Sequence, residues 1–417
     1  MGHVKDLWTR PEEQPDGKVV RVPNARHGKG KRWLAVWLDP DGNERTKAFT
    51  NKAPADKYWR DQESARDHGE YVDPKAGKGL VSELAARWLA SHPADPATLE
   101  TYERVWRLHV GPVFGKRRIK SMTKPSEVQE LLSKLEASHT ASTARLAAAV
   151  LGGILNLAVA DNDLKANPVH DKFVKVPVQK TERPNVWSDE TLFAVIDAHP
   201  PELQALPYVG ATTGLREGEL YGLADVDIED DVLHVQRQIK RIGMTLCFGL
   251  PKNDTAREVP LGMATRAMLR RHMDHWPPVA ITLPWEKPDG EPRTYRLVFT
   301  QPGTGKPLYR QLFNRYWSPA LVAAGVIAPP KRSASGHLVY GTNRKYGRHA
   351  LRHYYAAMQL AGGVNIRELA DYLGHSDPAF TLRVYGRLQP NSQDRARQAV
   401  DARFLRPRGV AESGGEK

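Results

Sequence analysis

Two polar, proline-bearing segments interrupt the apolar patterning of this chain, at residues 72–78 and 173–185. Their composition is typical of connectors between folded parts. The chain of 417 residues also exceeds the roughly 100 to 200 residues that one domain usually holds. We therefore expect several domains, with boundaries at residues 1–72, 79–170 and 183–405, and a disordered tail at 406–417.

The charge balance of the chain is basic. Lys and Arg number 61 against 48 Asp and Glu, which gives a net charge of +13. This indicates a polyanionic partner, and nucleic acid is the leading candidate because Lys and Arg bind phosphates irrespective of base sequence. The single cysteine, Cys247, excludes an internal disulfide framework and a cysteine-based zinc module, which fits a reducing cytosol.

Targeting segments are not expected. The N-terminus lacks the apolar core of a signal peptide, and no run of the sequence approaches the ~18 apolar residues of a membrane span. We expect a soluble protein in the cytoplasm with no membrane partner.

The first part, residues 1–72, carries a strand pattern followed by a helical one. Residues 33–38 are rich in aromatic side chains, residues 39–42 have turn chemistry, and a second strand is expected at 45–49. A helix is expected at about 54–67, with a proline in its first turn. These patterns predict a small β-sheet with one helix.

The segment before the first of these strands is strongly basic. Residues 26–32 hold four Lys or Arg in seven positions, beside glycines that let a backbone approach a phosphate closely. A solvated loop leading into a small sheet explains such a charge run equally well. Trp33, Trp37 and Trp59 are typical of a core, so no binding role is assigned to them. The candidates for DNA contacts are Arg26, Lys29, Lys31 and Arg32.

The two remaining parts differ in their periodicity. Residues 79–170 show four stretches of apolar residues at helical spacing, with Pro125 at one helix start and Asn167-Pro168 at the end of the last helix. Residues 183–405 mix helical patterns with a strand at 232–235 and a hairpin near 245–261. The predicted fold is multidomain and mainly α with small β-sheets: a sheet plus helix, a helical bundle, and a mixed α+β domain.

Two arginines in the third part have the chemistry of a phosphate site. Arg216 follows a glycine-bearing turn and is expected in the first turns of a helix, whose N–H groups favour anions. A guanidinium donates bidentate hydrogen bonds to phosphate and keeps its proton, so Arg216 and Arg352 form a candidate clamp. The alternative for Arg216 is a surface salt bridge to Glu217 or Glu219. We expect Glu219 to orient the clamp rather than to react.

A single helical turn is expected to carry His349, Arg352 and His353, with the first two on one face. His349 and His353 also have the i, i+4 spacing of the zinc-protease helix. That motif needs Glu at position 350, where this chain has Ala350. We therefore interpret His349 as a proton-transfer group, because imidazole titrates near neutrality.

The order of these residues resembles the active-site set of the tyrosine recombinases, the phage-integrase family. The pattern continues with His375 after Leu373-Gly374 and with Tyr385, and it is preceded by Lys252. At Ala350 the chain departs from the family, which more often has an acidic residue there. The resemblance implies a catalytic set of Arg216, Lys252, His349, Arg352, His375 and Tyr385.

The same resemblance implies a role for each remaining group. Tyr385 is the expected nucleophile, and His375 is expected to hydrogen-bond the scissile phosphate. Lys252 is expected on a β-hairpin, where its ammonium protonates the departing 5′-oxygen. A free phenol has a pKa of about 10, so neighbouring cations or a base must help it attack.

The implied function is that of a site-specific DNA recombinase, an integrase of a phage or integrative element. It would cleave DNA through a 3′-phosphotyrosyl link without a cofactor or a metal. The first domain resembles an arm-type DNA-binding domain and the second a core-binding domain. The expected partners are double-stranded DNA attachment sites, three further protomers in a homotetramer, a directionality factor and a host DNA-bending protein.

Three questions stay open at the level of the sequence. A type IB topoisomerase has a similar catalytic set, although the arm-like first domain argues against it. A non-catalytic DNA-binding regulator explains the charge and the layout, but not the six reactive groups in family order. The helical segment at 396–405 fits either packing against a neighbouring protomer or capping its own domain.

Overall fold

The computed structural model describes most of the chain and divides it into two compact units, residues 1–180 and 181–417. The finer boundaries expected from the sequence stay predictions. The predicted tail, half of the segment at 396–405 and parts of both connectors lie outside the described residues. The structure describes residues 2–15, 17–69, 71, 76–178, 185–252, 255–341, 346–386, 397, 400, 401, 403 and 404.

A small sheet and a helix begin the first unit. The elements are β1 (His3–Asp6), β2 (Thr9–Glu13), β3 (Val19–Pro23), β4 (Trp33–Leu38), β5 (Glu44–Phe49) and α1 (Lys52–Asp67). β4 lies between β1 and β5 in an antiparallel sheet, while β2 pairs with β3. Ala35, Val36 and Trp37 of β4 are buried where α1 covers the sheet. The predicted strands and helix are confirmed, with α1 beginning two residues before Pro54.

Helices form the rest of the first unit. They are α2 (Val81–Ser91), α3 (Pro96–Val105), α4 (Gly111–Phe114), α5 (Pro125–Ser138) and α6 (Ala141–Ala160). A π-helical turn, Trp106–Val110, joins α3 to α4. Pro125 begins α5 as predicted, because the first helical position needs no N–H donor. The predicted helix end at Asn167-Pro168 was wrong: α6 stops at Ala160, and Asn162 follows with a left-handed φ of 58°.

α6 bears on the expectation about apolar runs. Among the described residues it is the one helix long and apolar enough to cross a membrane. Its aliphatic residues, including Val150, Leu151, Ile154 and Leu155, are buried in the bundle, where α6 packs against α5 and α2. Such a composition is also that of a central bundle helix, which must be apolar on most of its faces.

The second unit mixes helices with short antiparallel ribbons. Its helices are α7 (Asp189–Asp197), α8 (Pro201–Thr213), α9 (Glu217–Tyr221), α10 (Met263–His275), α11 (Arg310–Ala323), α12 (His349–Ala361), α13 (Ile366–Leu373) and α14 (Pro378–Tyr385). Its strands are β6 (Val232–Val235), β7 (Gln238–Ile242), β8 (Thr245–Gly249), β9 (Arg257–Pro260), β10 (Val279–Pro284), β11 (Pro292–Leu297), β12 (Lys331–Arg332) and β13 (Leu338–Val339). The core is centred on α8 and α12, which pack against each other.

The strand at 232–235 is confirmed, but the hairpin expected near 245–261 was wrong. β8 pairs with the preceding β7, and β9 pairs with β6. Ile242 lies opposite Thr245, so Gly243 and Met244 form a two-residue turn, and Gly243 takes the positive φ of 58° that such turns need. Local turn chemistry at 243–244 therefore decided the pairing.

Two left-handed glycines end the helices that lead into the arginine-rich site of the second unit. Gly214 ends α8 with a φ of 65°, and Gly374 ends α13 with a φ of 63°. A Cβ at Gly214 would collide with the ring of Tyr355. A Cβ at Gly374 would lie 3.1 Å from Arg257 Cδ and 3.3 Å from Arg216 Nη1. Glycine meets both the conformational and the spatial demand at these two positions.

Candidate active site

Arg216 and Arg257 converge on the buried carboxylate of Glu219. Arg216 immediately precedes α9, and it donates from Nη1 to Glu219 Oε1 (3.0 Å) and from its backbone N–H to Oε2 (2.7 Å). Arg257, at the start of β9, donates to both carboxylate oxygens (2.9 and 2.7 Å). Glu219 is 1% exposed, so this is a buried cluster and not the surface salt bridge considered for Arg216. Arg216 Nη2 also donates to Gly374 O (2.8 Å).

The carboxylate of Glu219 is ionised in this cluster. Burial raises its pKa, but the hydrogen bonds and charge of Arg257, followed by the charge of Arg216, reverse that effect and lower the pKa to about 2. Glu219 Oε1 and Gly374 O therefore hold the two terminal nitrogens of the Arg216 guanidinium, and Glu219 Oε2 holds its backbone N–H. This is the geometry that an orienting role for Glu219 requires.

The buried guanidinium of Arg352 joins the ends of two helices. Its Nη1 donates to Gly214 O (2.7 Å), and its Nη2 donates to Leu373 O. Carbonyls at helix C-termini lack intrahelical partners and favour cations, so Arg352 satisfies both ends at once. Burial, and then the charge of Arg216, lowers the pKa of Arg352 to about 9, which leaves it cationic at neutral pH.

His375 directly follows Gly374 and contacts the Arg352 side chain. Arg352 Nη2 donates to His375 Nε2 (2.9 Å), so Nε2 carries no proton. The proton is then on Nδ1, which donates to Thr381 Oγ1 (2.7 Å) on α14. Burial, followed by the charges of Arg352 and Arg216, lowers the pKa of His375 to about 3. His375 is therefore a neutral imidazole with its Nε2 against the clamp.

Tyr385 is the last residue of α14 and is 2% exposed. Its Oη lies 2.7 Å from His353 Nδ1, and the two rings are 5.6 Å apart. Burial raises the pKa of Tyr385 to about 12, although the charge of Arg352 acts in the opposite direction. Because α12 carries Arg352 and His353 at adjacent positions, it links the phenol to the arginine cluster.

His349 and Lys252 lie at the exposed side of this region. His349 is the first residue of α12; loss of hydration around its ring, and then the charge of Arg352, lowers its pKa. Lys252 is exposed beyond β8, and its charge contributes to the low pKa of His375, so the two side chains are within electrostatic reach. Residues 253 and 254 lie outside the described part of the chain.

The four N-terminal candidates have two different environments. Arg26, Lys29 and Lys31 are exposed, and the loop around them contains two glycines at positive φ with open space around them. Arg32 instead donates from Nη2 to Asp6 Oδ2 (2.9 Å), and the Asp6 side chain is almost fully buried. The hydrogen bond from Arg32 is the main reason that the pKa of Asp6 falls to about 2.

Three contacts of the site were not anticipated from the sequence. Arg257 shares Glu219 with Arg216, Thr381 fixes the tautomer of His375, and His353 contacts the Tyr385 hydroxyl. Spacing could have pointed to His353, which neighbours Arg352, but it carried no sign of a partner on α14. Arg257 lies on a strand whose pairing was predicted wrongly, so its position could not be anticipated.

The chain matches known protein families over both of its units. The profile of the phage integrase family matches residues 190–392, and that of the phage integrase central domain matches residues 81–172. The chain belongs to the phage integrase family. The first match contains every arginine, histidine and tyrosine described above for the second unit. It also contains Lys252.

Two curated relatives agree with membership of this family. A protein named tyrosine recombinase XerC-like, from Caldanaerobacter subterraneus subsp. tengcongensis, is 26% identical over 330 residues, covering 74% of this chain and 79% of its own. The integrase of Mycobacterium phage L5 is 23% identical over 367 residues, covering 84% of this chain and 90% of its own.

Solved structures share the fold. The Tn1549 transposon integrase, solved in complex with a circular intermediate DNA, has a TM-score of 0.61 at 19% identity, covering 78% of this chain and 99% of that one. The lambda integrase tetramer bound to a Holliday junction has a TM-score of 0.54 at 15% identity, covering 83% of this chain and 94% of that one. At these identities the likeness concerns the fold.

Proposed function

We propose that this member of the phage integrase family is a site-specific DNA recombinase that uses Tyr385 as its nucleophile. The observation that carries the proposal is the convergence of Arg216, Arg352 and His375. Tyr385 lies beside them, within hydrogen-bond distance of the residue that follows Arg352 on α12. A phosphodiester needs cations at its nonbridging oxygens and a nucleophile beside them. The contacts among these residues of the second unit support the proposal.

The chemistry follows from the positions of these groups. Tyr385 Oη attacks the phosphorus, and the P–O5′ bond breaks to leave a 3′-phosphotyrosyl link and a 5′-hydroxyl. Arg216 and Arg352 donate to the nonbridging oxygens, and each such donor is worth ~10²–10³ in rate at comparable sites. Lys252 supplies the proton to the departing 5′-oxygen. A bound phosphate also offsets the cations that lower the pKa of His375, so His375 can gain a proton and donate to the phosphate.

The covalent link stores the energy of the phosphodiester, so rejoining needs no cofactor. The 5′-hydroxyl of a partner strand attacks the phosphotyrosyl phosphorus and releases Tyr385. Two such exchanges require four active sites, and we propose a homotetramer on double-stranded DNA attachment sites. Residues 1–72 are proposed to bind arm-type sites, residues 79–170 to bind core DNA and residues 183–405 to carry the chemistry. A directionality factor and a host DNA-bending protein are proposed as further partners in the cytoplasm.

Trapping of the covalent link tests this function. Purified protein is incubated with EDTA and nicked, end-labelled duplexes from the flanks of its own gene, and the products are separated on denaturing gels. We expect a protease-sensitive adduct on the 3′ end. The adduct should disappear in Tyr385→Phe and persist in Tyr316→Phe, a control tyrosine on α11.

The alternatives give different results in the same experiment. Relaxation of supercoiled DNA without joining of partner strands would favour a topoisomerase. Tight, salt-sensitive binding of the same fragments with no adduct, in the presence of bending and directionality factors, would favour a non-catalytic DNA-binding regulator. An adduct that Tyr385→Phe leaves intact would refute the assignment of the nucleophile.

A further inference from the structure

The hydroxyl of Tyr385 has a defined partner in the structure, the Nδ1 atom of His353 at 2.7 Å. Tyr385 is buried at the end of α14, and His353 is half-buried within the first turn and a half of α12. His349 lies one turn earlier, at the exposed start of that helix. The imidazole that contacts the nucleophile is therefore His353.

The direction of this hydrogen bond follows from the chemistry of its two groups. Burial, and then the charges of His349 and Arg352, lowers the pKa of His353 to about 4, so the ring is neutral at pH 7. Burial keeps the phenol of Tyr385 protonated. An unprotonated imidazole nitrogen accepts a hydrogen bond better than a phenolic oxygen does, because the phenolic lone pair is delocalised into its ring. Tyr385 O–H therefore donates to His353 Nδ1, and the His353 proton is on Nε2.

We propose that His353 is the catalytic base for Tyr385, taking the phenolic proton during DNA cleavage and returning it during strand joining. This inference rests on the proposed function of Tyr385. In cleavage the O–H bond of Tyr385 breaks, an N–H bond forms at Nδ1 and Oη bonds to phosphorus, while the 5′-oxygen leaves with a proton from Lys252. In joining the 5′-hydroxyl gives its proton back to Lys252 as O5′ bonds to phosphorus, the P–Oη bond breaks, and Tyr385 recovers its proton from Nδ1.

Substrate binding makes this transfer feasible. In the free protein the charge of Arg352 opposes a positive charge on His353. A phosphodiester held by Arg216 and Arg352 brings a negative charge into the same region and offsets that repulsion. The phenol also becomes more acidic as its oxygen bonds to phosphorus, so proton transfer accompanies attack rather than preceding it.

The first test separates proton transfer from positioning. In His353→Asn, the side-chain Oδ1 can occupy the place of Nδ1 and accept the hydrogen bond of Tyr385, but it cannot take the proton. We expect single-turnover adduct formation on nicked DNA to fall about 10²–10³-fold, within the range for general bases. In His353→Ala, added imidazole should raise the rate of adduct formation at least about tenfold over the rate without imidazole. A rate for His353→Asn within about threefold of wild type would overturn the proposal.

The second test bypasses the tyrosine. A DNA strand ending in a 3′-(p-nitrophenyl phosphate) has a leaving group that departs without a proton, so joining to a 5′-hydroxyl strand needs neither Tyr385 nor its base. In the Tyr385→Phe background, adding His353→Asn should change the joining rate by no more than about threefold, whereas adding Arg352→Lys should lower it about 10²-fold or more. A misfolded variant would fail here, so the assay also controls for folding.

The two assays distinguish failure of this inference from failure of the proposed function. If His353→Asn slows joining to the nitrophenyl end as strongly as it slows adduct formation, His353 acts on the phosphate or the fold, and the inference is wrong. If Tyr385→Phe still forms the adduct, the nucleophile itself was assigned wrongly. DNA binding by fluorescence anisotropy should be unchanged in every variant that supports the proposal.

Discussion

Two regions of the molecule hold basic side chains in opposite settings. One is the basic loop at residues 26–31, and the other is the arginine cluster of Arg216, Arg257 and Arg352. In the loop, the side chains are exposed and the backbone bends at glycines with open space around them. In the cluster, the guanidinium groups donate to Glu219 and to the carbonyls of Gly214, Tyr372, Leu373 and Gly374.

The difference concerns preorganisation. A guanidinium held by a carboxylate and by helix ends has a fixed direction, so its remaining donors cost little to align with a transition state. An exposed cation contributes attraction to phosphates at any angle, and that attraction is screened by salt. We therefore expect the cluster to tolerate no conservative replacement and the loop to tolerate nearly any cation.

The largest effect on stability should come from Glu219. Glu219→Gln removes the charge that two buried cations share, and loss of one partner from such a pair costs about 3–5 kcal/mol. Unfolding in guanidinium chloride, followed by circular dichroism, gives the free energy of unfolding. Glu368→Gln, on the exposed first turn of α13, is the matched control and should stay within about 0.5 kcal/mol of wild type.

Wild type and Glu219→Gln should also differ in how their stability depends on pH. The folded pKa of Glu219, about 2, lies below the free value of 4.5, so its contribution to stability is complete above pH 4.5 and is lost as the pH falls toward 2. The gap in unfolding free energy between wild type and Glu219→Gln should therefore close between pH 4.5 and 2. A gap that is constant over this range would mean that the Glu219 charge does not stabilise the fold.

The next effect compares one replacement in both regions. Arg352→Lys loses the fork that reaches Gly214 O and Leu373 O together, and we expect cleavage to slow about 10²–10³-fold. Arg26→Lys keeps an exposed positive charge and should leave cleavage and binding unchanged. Single-turnover cleavage of nicked DNA measures both. Equal effects at the two positions would contradict the difference in preorganisation between cluster and loop.

A smaller effect is expected at Gly374. Gly374→Ala forces a Cβ into the left-handed region, which costs about 1–2 kcal/mol, and brings it against Arg216 and Arg257. Gly303→Ala is a matched control, because Gly303 has a φ of 69° with open space around it. Both variants should lose stability in thermal unfolding, but cleavage should slow in Gly374→Ala alone. A loss of cleavage in both would point to a global cause.

The smallest effect belongs to the loop. Alanine at Arg26, Lys29 or Lys31 should lower the slope of log K against log salt by about one for each phosphate that the removed cation neutralised, with no change in protein stability. Arg32→Ala should act in the opposite way, lowering the melting temperature because buried Asp6 loses its partner. Titrations at several salt concentrations, beside thermal melts, distinguish the two. If the slope is unchanged when all three residues are replaced by alanine, the loop does not bind phosphates.

The sequence anticipated those features that depend on neighbouring residues. The strand at 232–235 follows from its apolar residues and the start of α5 from Pro125, because propensity and capping are local. The six candidate residues of the active site were found by their order along the chain. The match of residues 190–392 to the phage integrase family includes all six of them.

The sequence by itself determined which chemical groups this protein has and where a few of its elements lie, such as the strand at 232–235 and the start of α5 at Pro125. Only the tertiary structure decided their partners: β8 pairs with β7, Arg257 shares Glu219 with Arg216, Arg32 is paired with Asp6, and His353 meets Tyr385. These contacts join residues that are distant along the chain or lie on different elements. Their geometry, and the burial that shifts their pKa values, arises from packing of the whole unit, which no local pattern encodes.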